Sequence, residues 1–246
     1  MSKSYKYFSG KKDKGFVIKS MKNYFDKKQE LDKLLETLIS PYLLKNKLNV
    51  LDACCGLGHI SYMLGKKFSN STFTGIDQTS YLIKEAKQIC NDQNNLSFFT
   101  KDIYNLPKKY HKLFDISINW KTISWLPYYE DILRVLFSVT KKHIFLSSLF
   151  YDGDIDFEIK VREFKKQSSK NNFNLYYNVY SLPKFKKYVY DLGAKKIQLY
   201  DFEINTDLPR PPIDQMGTYT ERLTNGKRLQ ISGNIVMNWK IIRIDL

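Results

Sequence analysis

Residues 50–61 combine an acidic residue, two cysteines, two glycines and a histidine in the run Val-Leu-Asp-Ala-Cys-Cys-Gly-Leu-Gly-His-Ile-Ser. An apolar stretch, Leu48 to Leu51, ends in this run, and a helical pattern begins near His59. Gly56 and Gly58 let the backbone turn tightly and approach a ligand closely, and the helix that follows offers free N–H groups to an anion. The pattern favours a ligand site, but an ordinary strand-to-helix turn also uses two glycines.

Polar residues also end three later apolar stretches. Asp77 ends the second stretch, Asp102 follows the third, and Asn119 ends the fourth. The carboxyl ends of parallel strands meet at one edge of a doubly wound sheet, which is where ligands bind. A carboxylate after the second strand is suited to accept two hydrogen bonds from a ribose diol. The sequence therefore predicts one ligand site at this edge, which also includes Asp52.

The elements that position these residues alternate between strand and helix. The predicted strands are 48–51, 72–76, 96–100, 114–119 and 143–149, and the predicted helices are 59–67, 81–91 and 130–140. This alternation predicts βαβ units with right-handed connections, in an α/β doubly wound and mostly parallel sheet with helices on both faces.

The flanking regions have a different pattern. Residues 23–44 predict a helix that Pro41 breaks, and 152–169 predict an insertion after the fifth strand. A helix (183–192), a strand (196–204), a proline-rich loop (207–217), a hairpin around Asn225-Gly226 and a last strand (235–244) follow. We divide the chain into an N-terminal helical cap (1–45), a core (46–150), and an acceptor-binding insertion with C-terminal strands (151–246) in the same domain.

This ordered set of motifs resembles the class I S-adenosylmethionine-dependent methyltransferases of the small-molecule type, over residues 48–150. The resemblance implies a Rossmann-like fold and S-adenosylmethionine as cofactor. It assigns the loop from Asp52 to Gly58 to the methionine part, Asp77 to the ribose, Asp102 to the adenine, and 119–125 to the methyl group. The cofactor-binding residues implied are Asp52, Cys54, Cys55, Gly56, Gly58, Asp77, Gln78, Asp102, Ile103, Asn119 and Trp120.

The first motif departs from two related patterns. Cys54 stands where this family usually has glycine, so the first turn must tolerate a small side chain. Ser61 stands where the dinucleotide-binding fingerprint has its third glycine, which counts against a dehydrogenase.

Methyl transfer requires an aligned nucleophile and, for a hydroxyl acceptor, a base. The segment 151–156 brings three carboxylates to the expected edge, and Asp152 is our candidate base, although the segment can equally be a solvated acidic loop. His59 and Asn119 are the other catalytic candidates, and His59 can instead cap the loop or lie over the cofactor. We predict no metal site.

Five residues are candidates for acceptor binding: Trp125, Tyr151, Arg210, Tyr219 and Arg222. Arginines on a proline-stiffened loop and a hairpin suit phosphate or carboxylate groups, although this region can equally be a structural cap. We therefore expect a small acceptor, phosphorylated or nucleotide-linked, with O-methylation of a sugar or nucleotide-sugar hydroxyl.

The composition keeps two alternatives open. A net charge of +15 favours an RNA methyltransferase, but the lysines are spread along the chain and no separate RNA-binding module is evident. Residues 119–122 also lack the Asn/Asp-Pro-Pro-Tyr/Phe signature of enzymes that methylate nucleic-acid amino groups. The other alternative is a non-catalytic partner that kept the fold. Three cysteines without a disulfide framework and the lack of a long apolar run predict a cytoplasmic protein with no membrane span.

Overall fold

The computed structural model describes residues 14–162, 174–213 and 217–246. The beginning of the predicted cap and the end of the predicted insertion lie outside these ranges. The described helices are α1 (Lys14–Asp26), α2 (Glu30–Leu43), α3 (His59–Lys67), α4 (Ser80–Ile89), α5 (Glu130–Val139) and α6 (Leu182–Asp191). The first seven strands are β1 (Asn49–Ala53), β2 (Thr72–Asp77), β3 (Leu96–Thr100), β4 (Phe114–Asn119), β5 (Thr140–Ser148), β6 (Phe150–Tyr151) and β7 (Lys160–Arg162). The later strands are β8 (Asn174–Tyr176), β9 (Tyr180–Ser181), β10 (Lys196–Asp201), β11 (Thr218–Arg222), β12 (Arg228–Ser232), β13 (Ile235–Val236) and β14 (Lys240–Asp245).

A seven-stranded sheet in the order β10-β14-β5-β4-β1-β2-β3 forms the centre of the protein. Strands β1 to β5 pair in parallel, and β14 pairs antiparallel with both β5 and β10. The predicted doubly wound, mostly parallel α/β fold is therefore confirmed. The carboxyl ends of β1 to β4 share one edge, because parallel strands run in the same direction.

Hydrophobic cores cover both faces of this sheet. Successive residues of β1 alternate between them: Val50 packs in one core, with residues of α2 and α3, and Leu51 in the other, with residues of α5 and α6. Since both faces are covered, apolar residues occupy the middle of the central strands, as Val50 and Leu51 do in β1 and Ile144 to Leu146 do in β5. Their ends are then the places where polar side chains can meet a ligand.

The N-terminal region forms two helices, and the predicted break at Pro41 is wrong. Pro41 lies inside α2, near its end and at the surface, where the loss of one helical hydrogen bond costs little. The helix continues because Leu43 is buried in the core. The break lies instead between α1 and α2, where Gln29 has an extended backbone.

The C-terminal hairpin is also confirmed. Strands β11 and β12 pair antiparallel around a turn in which Gly226 has a φ of +78°. The predicted strand 235–244 is two strands, because β13 adds to the hairpin sheet and β14 to the central sheet. Trp239, just before β14, is buried in the core shared with α2. The strand predicted to reach residue 204 ends at Asp201, so Phe202 and Ile204 are free to line the ligand cavity described below.

Candidate cofactor and acceptor site

The turn after β1 is built around three left-handed residues. Cys54, Gly56 and Gly58 have φ angles of +64°, +55° and +79°. The N–H groups of Cys54 and Cys55 both donate to the carbonyl oxygen of Ile76, at 2.8 and 3.1 Å, which fixes the turn against β2. Cys54 thus adopts the conformation that a glycine would adopt most easily, at some cost in backbone strain.

Asp52 lies beneath this turn and is only 2% exposed. Its Oδ2 accepts a hydrogen bond from Ser61 Oγ at 2.8 Å. Burial raises the pKa of Asp52 to about 6, and the hydrogen bond from Ser61 opposes only part of this shift. The group therefore titrates close to physiological pH.

Asp77, at the end of β2, is held by two backbone groups. Its Oδ2 accepts from Gly56 N at 3.0 Å, and its Oδ1 accepts from Thr79 N at 2.8 Å. Burial raises the pKa of Asp77, and hydrogen bonds from these two N–H groups and from the Thr79 side chain oppose the shift. A carboxylate has about four acceptor positions, so one remains after these three bonds. The side chain is therefore fixed in place and can still accept a hydrogen bond from a ribose hydroxyl.

Asp102 follows β3 and caps a short 3₁₀ helix. Its Oδ1 accepts from Tyr104 N at 3.0 Å, and its Oδ2 accepts from Asn105 Nδ2 at 2.9 Å. Asp52, Asp77 and Asp102 line a single cavity of about 710 Å³. This row of fixed carboxylates fits the amino and hydroxyl groups of S-adenosylmethionine.

The cavity brings together the predicted cofactor-binding residues except Gly58 and Asn119. Gly58 lies against β3, where a Cβ would be 2.3 Å from the ring of Phe98, so its role is to allow close packing. Asn119 is fully buried, and its Nδ2 donates to the carbonyl oxygen of Ala53 at 3.0 Å. It fastens β4 to the first turn and does not line the cavity. The individual cofactor contacts stay predictions.

Asp32 is a site residue that sequence reasoning missed. It belongs to α2 but is only 1% exposed. Trp120 Nε1 donates to its Oδ1 at 2.7 Å, and Lys121 Nζ donates to the same oxygen at 3.0 Å. His59 Nε2 lies 3.6 Å from its Oδ2. Burial alone would raise the pKa of Asp32, but Lys121 and His59 reverse that effect and hold it well below its usual range.

Lys121 follows β4 with a φ of +55°, a conformation that few non-glycine residues adopt. Its N–H donates to Ser147 Oγ at 3.0 Å, and its Nζ also bonds Gln29. Such strain persists only where the surroundings fix the residue, and it is frequent at binding sites. The Asp32–Lys121 contact therefore joins α2 to the segment that faces the cavity.

A second part of the cavity lining is largely aromatic, and we call it the aromatic wall. It consists of Trp125, Tyr177, Phe202 and Trp239, together with Ile204, Leu208 and Gln230. The rings of Trp125 and Tyr177 lie 4.8 Å apart. These residues come from the segments that follow β4, β8, β10 and β13, and from β12. Trp125 is the one of these four aromatic residues that the sequence predicts, because the wall as a whole forms only when distant segments fold together.

Asp152 and Tyr151 do not line the cavity. The side chain of Asp152 is 77% exposed, and its Oδ1 lies 3.8 Å from Lys240 Nζ. After β5 ends at Ser148, the strand β6 pairs with β9, and the ring of Tyr151 packs on Phe157 at 5.4 Å. The chain therefore turns away from the cavity before it reaches Asp152, which lies outside the cavity lining.

Arg210, Tyr219 and Arg222 also lie outside the cavity lining. Arg210 Nε donates to Glu221 Oε1 at 2.8 Å, and its guanidinium lies over the ring of Tyr219. Arg222 Nη2 donates to Asp207 Oδ2 at 2.6 Å. The two arginines thus brace the loop against the hairpin. Of the five acceptor candidates, the structure brings Trp125 alone to the cavity.

Within residues 14–162, 174–213 and 217–246, no cluster of three or more histidine, cysteine, aspartate or glutamate residues could hold a metal ion. Across the same residues, no helix is long and apolar enough to cross a membrane.

A parallel sheet in this strand order, with an acidic row at one edge and a glycine-containing turn after β1, defines the class I S-adenosylmethionine-dependent methyltransferase fold. The model of the methyltransferase domain family matches residues 44–202. The chain belongs to this family, and S-adenosylmethionine is the cofactor of its class.

Curated relatives match over part of the chain. Malonyl-(acyl-carrier protein) O-methyltransferase 1 of Ilyobacter polytropus is 31% identical over 115 residues, which cover 46% of this chain and 38% of that protein. Malonyl-(acyl-carrier protein) O-methyltransferase 2 of the same organism is 29% identical over 114 residues, with 46% and 42% covered. The chain thus spans less than half of the length of these relatives.

Solved structures match over nearly the whole chain but at low identity. Magnesium protoporphyrin IX methyltransferase from Synechocystis PCC 6803, solved with bound S-adenosylmethionine, is 16% identical with a TM-score of 0.56, over 97% of this chain and 93% of that one. A (4+2)-cyclase is 14% identical with a TM-score of 0.53, over 69% and 59%. At these identities the likeness shows the fold, which hosts more than one chemistry.

Proposed function

We propose that the protein is an enzyme that uses S-adenosylmethionine to methylate an oxygen atom of a small acceptor with a flat, largely apolar body. One observation carries the proposal: a single cavity of about 710 Å³ is lined both by Asp52, Asp77 and Asp102, from the ends of β1 to β3, and by an aromatic wall from the segments after β4, β8, β10 and β13. Cavities of this size bury most of a small molecule, and a few polar groups in an apolar lining give specificity.

The carboxylates would hold the cofactor. Asp77 would accept a hydrogen bond from a ribose hydroxyl, and Asp102 would accept one from the adenine amino group. Asp52 and the turn at residues 54–58 would hold the methionine part. When bound, S-adenosylmethionine supplies an activated methyl group, so the protein needs only to align the acceptor and exclude water.

The aromatic wall would hold the acceptor. The buried rings of Tyr177 and Trp239 would exclude water and offer an apolar surface against which an acceptor ring can pack, stacked or edge to face. The segment from Trp120 to Trp125 follows β4 and lines the same cavity, and its last residue, Trp125, belongs to the aromatic wall. It therefore connects acceptor placement to cofactor placement.

His59 would take up the proton when the acceptor is a hydroxyl. It lines the cavity, and the carboxylate of Asp32 lies 3.6 Å from its Nε2. An imidazole beside a buried carboxylate is suited to general-base work, because the carboxylate stabilises the imidazolium that forms. The proton would be taken up at Nδ1, the nitrogen that is not directed at Asp32.

The names of the curated relatives favour oxygen as the methylated atom. The expected sugar or nucleotide-linked sugar receives no comparable support, because Arg210 and Arg222 are engaged with Glu221 and Asp207. The RNA alternative rests on the net charge of +15 alone, and the non-catalytic alternative offers no reason for an intact cavity.

A labelled methyl donor would test the proposed acceptor class. Purified protein and S-adenosylmethionine with a labelled methyl group are incubated separately with an organic-solvent extract of cells, a nucleotide-sugar mixture and total RNA. We expect label in the organic extract, and clearly less label there when the Asp77→Asn variant replaces the wild type at a cofactor concentration near the wild-type Kd. Label confined to RNA or to the nucleotide sugars would overturn the proposed acceptor class but not the methyltransferase activity.

A further inference from the structure

Gln230 carries a buried polar atom that the protein itself does not use. The residue lies on β12, is 3% exposed and belongs to the aromatic wall of the cavity. Its Nε2 donates to Ser232 Oγ at 3.2 Å, whereas its Oε1 has no hydrogen-bond partner within the described part of the chain. Buried carbonyl groups without a partner are rare, and each one requires an explanation.

Ser232 fixes which way this amide faces. Its Oγ also receives a hydrogen bond from Trp239 Nε1 at 3.3 Å, and an indole N–H is a donor only. The hydroxyls of Tyr177 and Thr218 also contact this serine, Thr218 Oγ1 at 3.4 Å, and each can accept its proton. Because the serine proton has these acceptors, Ser232 Oγ receives the amide N–H of Gln230. The carbonyl oxygen is therefore the atom left over for a ligand.

Two aromatic side chains contact the same serine as this amide. Tyr177 and Trp239, which share Ser232 with Gln230, are both buried and both line the cavity. Trp125 extends the same wall, with its ring 4.8 Å from that of Tyr177. A ligand that reaches the carbonyl of Gln230 must lie against these rings. The geometry therefore selects a flat apolar body that carries one hydrogen-bond donor.

We propose that Gln230 determines acceptor specificity: its side-chain carbonyl accepts a hydrogen bond from a hydroxyl or N–H group on a ring-bearing acceptor that packs against Tyr177, Trp239 and Trp125. This proposal rests on the proposed function, because it names the acceptor class of the same site. An analogue without the donor leaves the Gln230 carbonyl buried and unpaired, so it binds more weakly.

A matched pair of probes tests this role. Binding of 2-naphthol and of 2-methoxynaphthalene, which lacks the donor, is measured by calorimetry on protein saturated with S-adenosylhomocysteine. We expect the wild type to bind 2-naphthol about tenfold more tightly, the effect of one buried hydrogen bond. Gln230→Met keeps the length of the side chain without the carbonyl, so this variant should bind both probes equally.

Gln198→Met is the control, because Gln198 lies on β10 outside the cavity lining. It should keep the wild-type preference. Equal binding of the two probes by the wild type, no binding of either, or a preference that survives in Gln230→Met would overturn the proposal. If Gln230→Met does not fold, Gln230→Asn takes its place. This shorter side chain should reduce the preference for 2-naphthol that the wild type shows, and an unchanged preference would overturn the proposal. Failure of S-adenosylhomocysteine to bind the wild type would instead contradict the proposed function.

Discussion

Lys121 Nζ lies 3.0 Å from Asp32 Oδ1. This contact joins the first turn of α2 to the segment that follows β4. Both side chains are largely withdrawn from water: 23% of Lys121 and 1% of Asp32 are exposed. Burial lowers the pKa of Lys121, and Asp32 opposes that shift. The N-terminal helices are therefore attached to the cavity by a buried charge pair.

Replacement of Asp32 by asparagine should destabilise the protein by about 3–5 kcal/mol, because it leaves the Lys121 charge buried without its partner. Urea unfolding at neutral pH measures this change. Asp26→Asn is the matched control, since Asp26 is exposed at the end of α1. A loss of stability no greater in Asp32→Asn than in Asp26→Asn would show that the pair does not hold α2 in place.

Asp52 should make stability fall as the pH rises. Its pKa in the folded protein is about 6, above the reference value of 3.8, so between these values the folded state binds more protons than the unfolded state. The free energy of unfolding should therefore decrease from about pH 4 to pH 6, by about 2–3 kcal/mol in total. Asp52→Asn should flatten this part of the profile. Urea unfolding across that range checks both proteins, and parallel profiles for the two would contradict the assignment.

Gly58 and Gly226 provide a paired test of the turn. Their φ angles are +79° and +78°, so alanine meets the same backbone strain at both positions. A Cβ at Gly58 would lie 2.3 Å from the Phe98 ring, whereas nothing lies within 4 Å of one at Gly226. Gly58→Ala should therefore cost about 1–3 kcal/mol more than Gly226→Ala in thermal or urea unfolding. Equal costs would mean that Phe98 moves aside freely.

His59 and Asp152 compete as the base, and their variants separate the two. With a hydroxyl acceptor, His59→Gln should lower kcat about 10²-fold or more while KM for the acceptor changes little. Asp152→Asn should change kcat less than about twofold, because the exposed carboxylate does not line the cavity. Steady-state kinetics at several pH values measures both. The reverse order of effects would restore the first assignment of Asp152.

The features that could be predicted from the sequence are those that depend on residues close together in the chain. Alternating strand and helix patterns located β1 to β5, and polar residues at strand ends located Asp52, Asp77 and Asp102. Asp32 could not be found this way, since an acidic residue in the first turn of an amphipathic helix is normally at the surface. Gln230 and Trp239 reach the cavity only through the antiparallel C-terminal strands, whose register is a tertiary property.

The sequence predicts that Arg210 and Arg222 bind the acceptor, but they lie outside the cavity lining. Arg210 and Arg222 have the chemistry of anion binding, but each is engaged with a carboxylate from its own loop and hairpin. The sequence shows that an arginine is present, but it does not show whether a carboxylate of the same protein forms an ion pair with it. Cys54 shows a milder case: the family pattern requires a left-handed residue, and the chain meets that requirement without glycine.

The most direct test of the account is calorimetric binding of S-adenosylhomocysteine to the wild type, Asp77→Asn and the exposed control Asp154→Asn. Loss of one charged hydrogen-bond partner should remove roughly 1.5–3 kcal/mol. We predict affinity near the micromolar range for the wild type and the control, and an affinity about tenfold or more weaker for Asp77→Asn. No binding to the wild type, or affinity of Asp77→Asn within about threefold of the wild type, would contradict the assignment of this edge as the cofactor site.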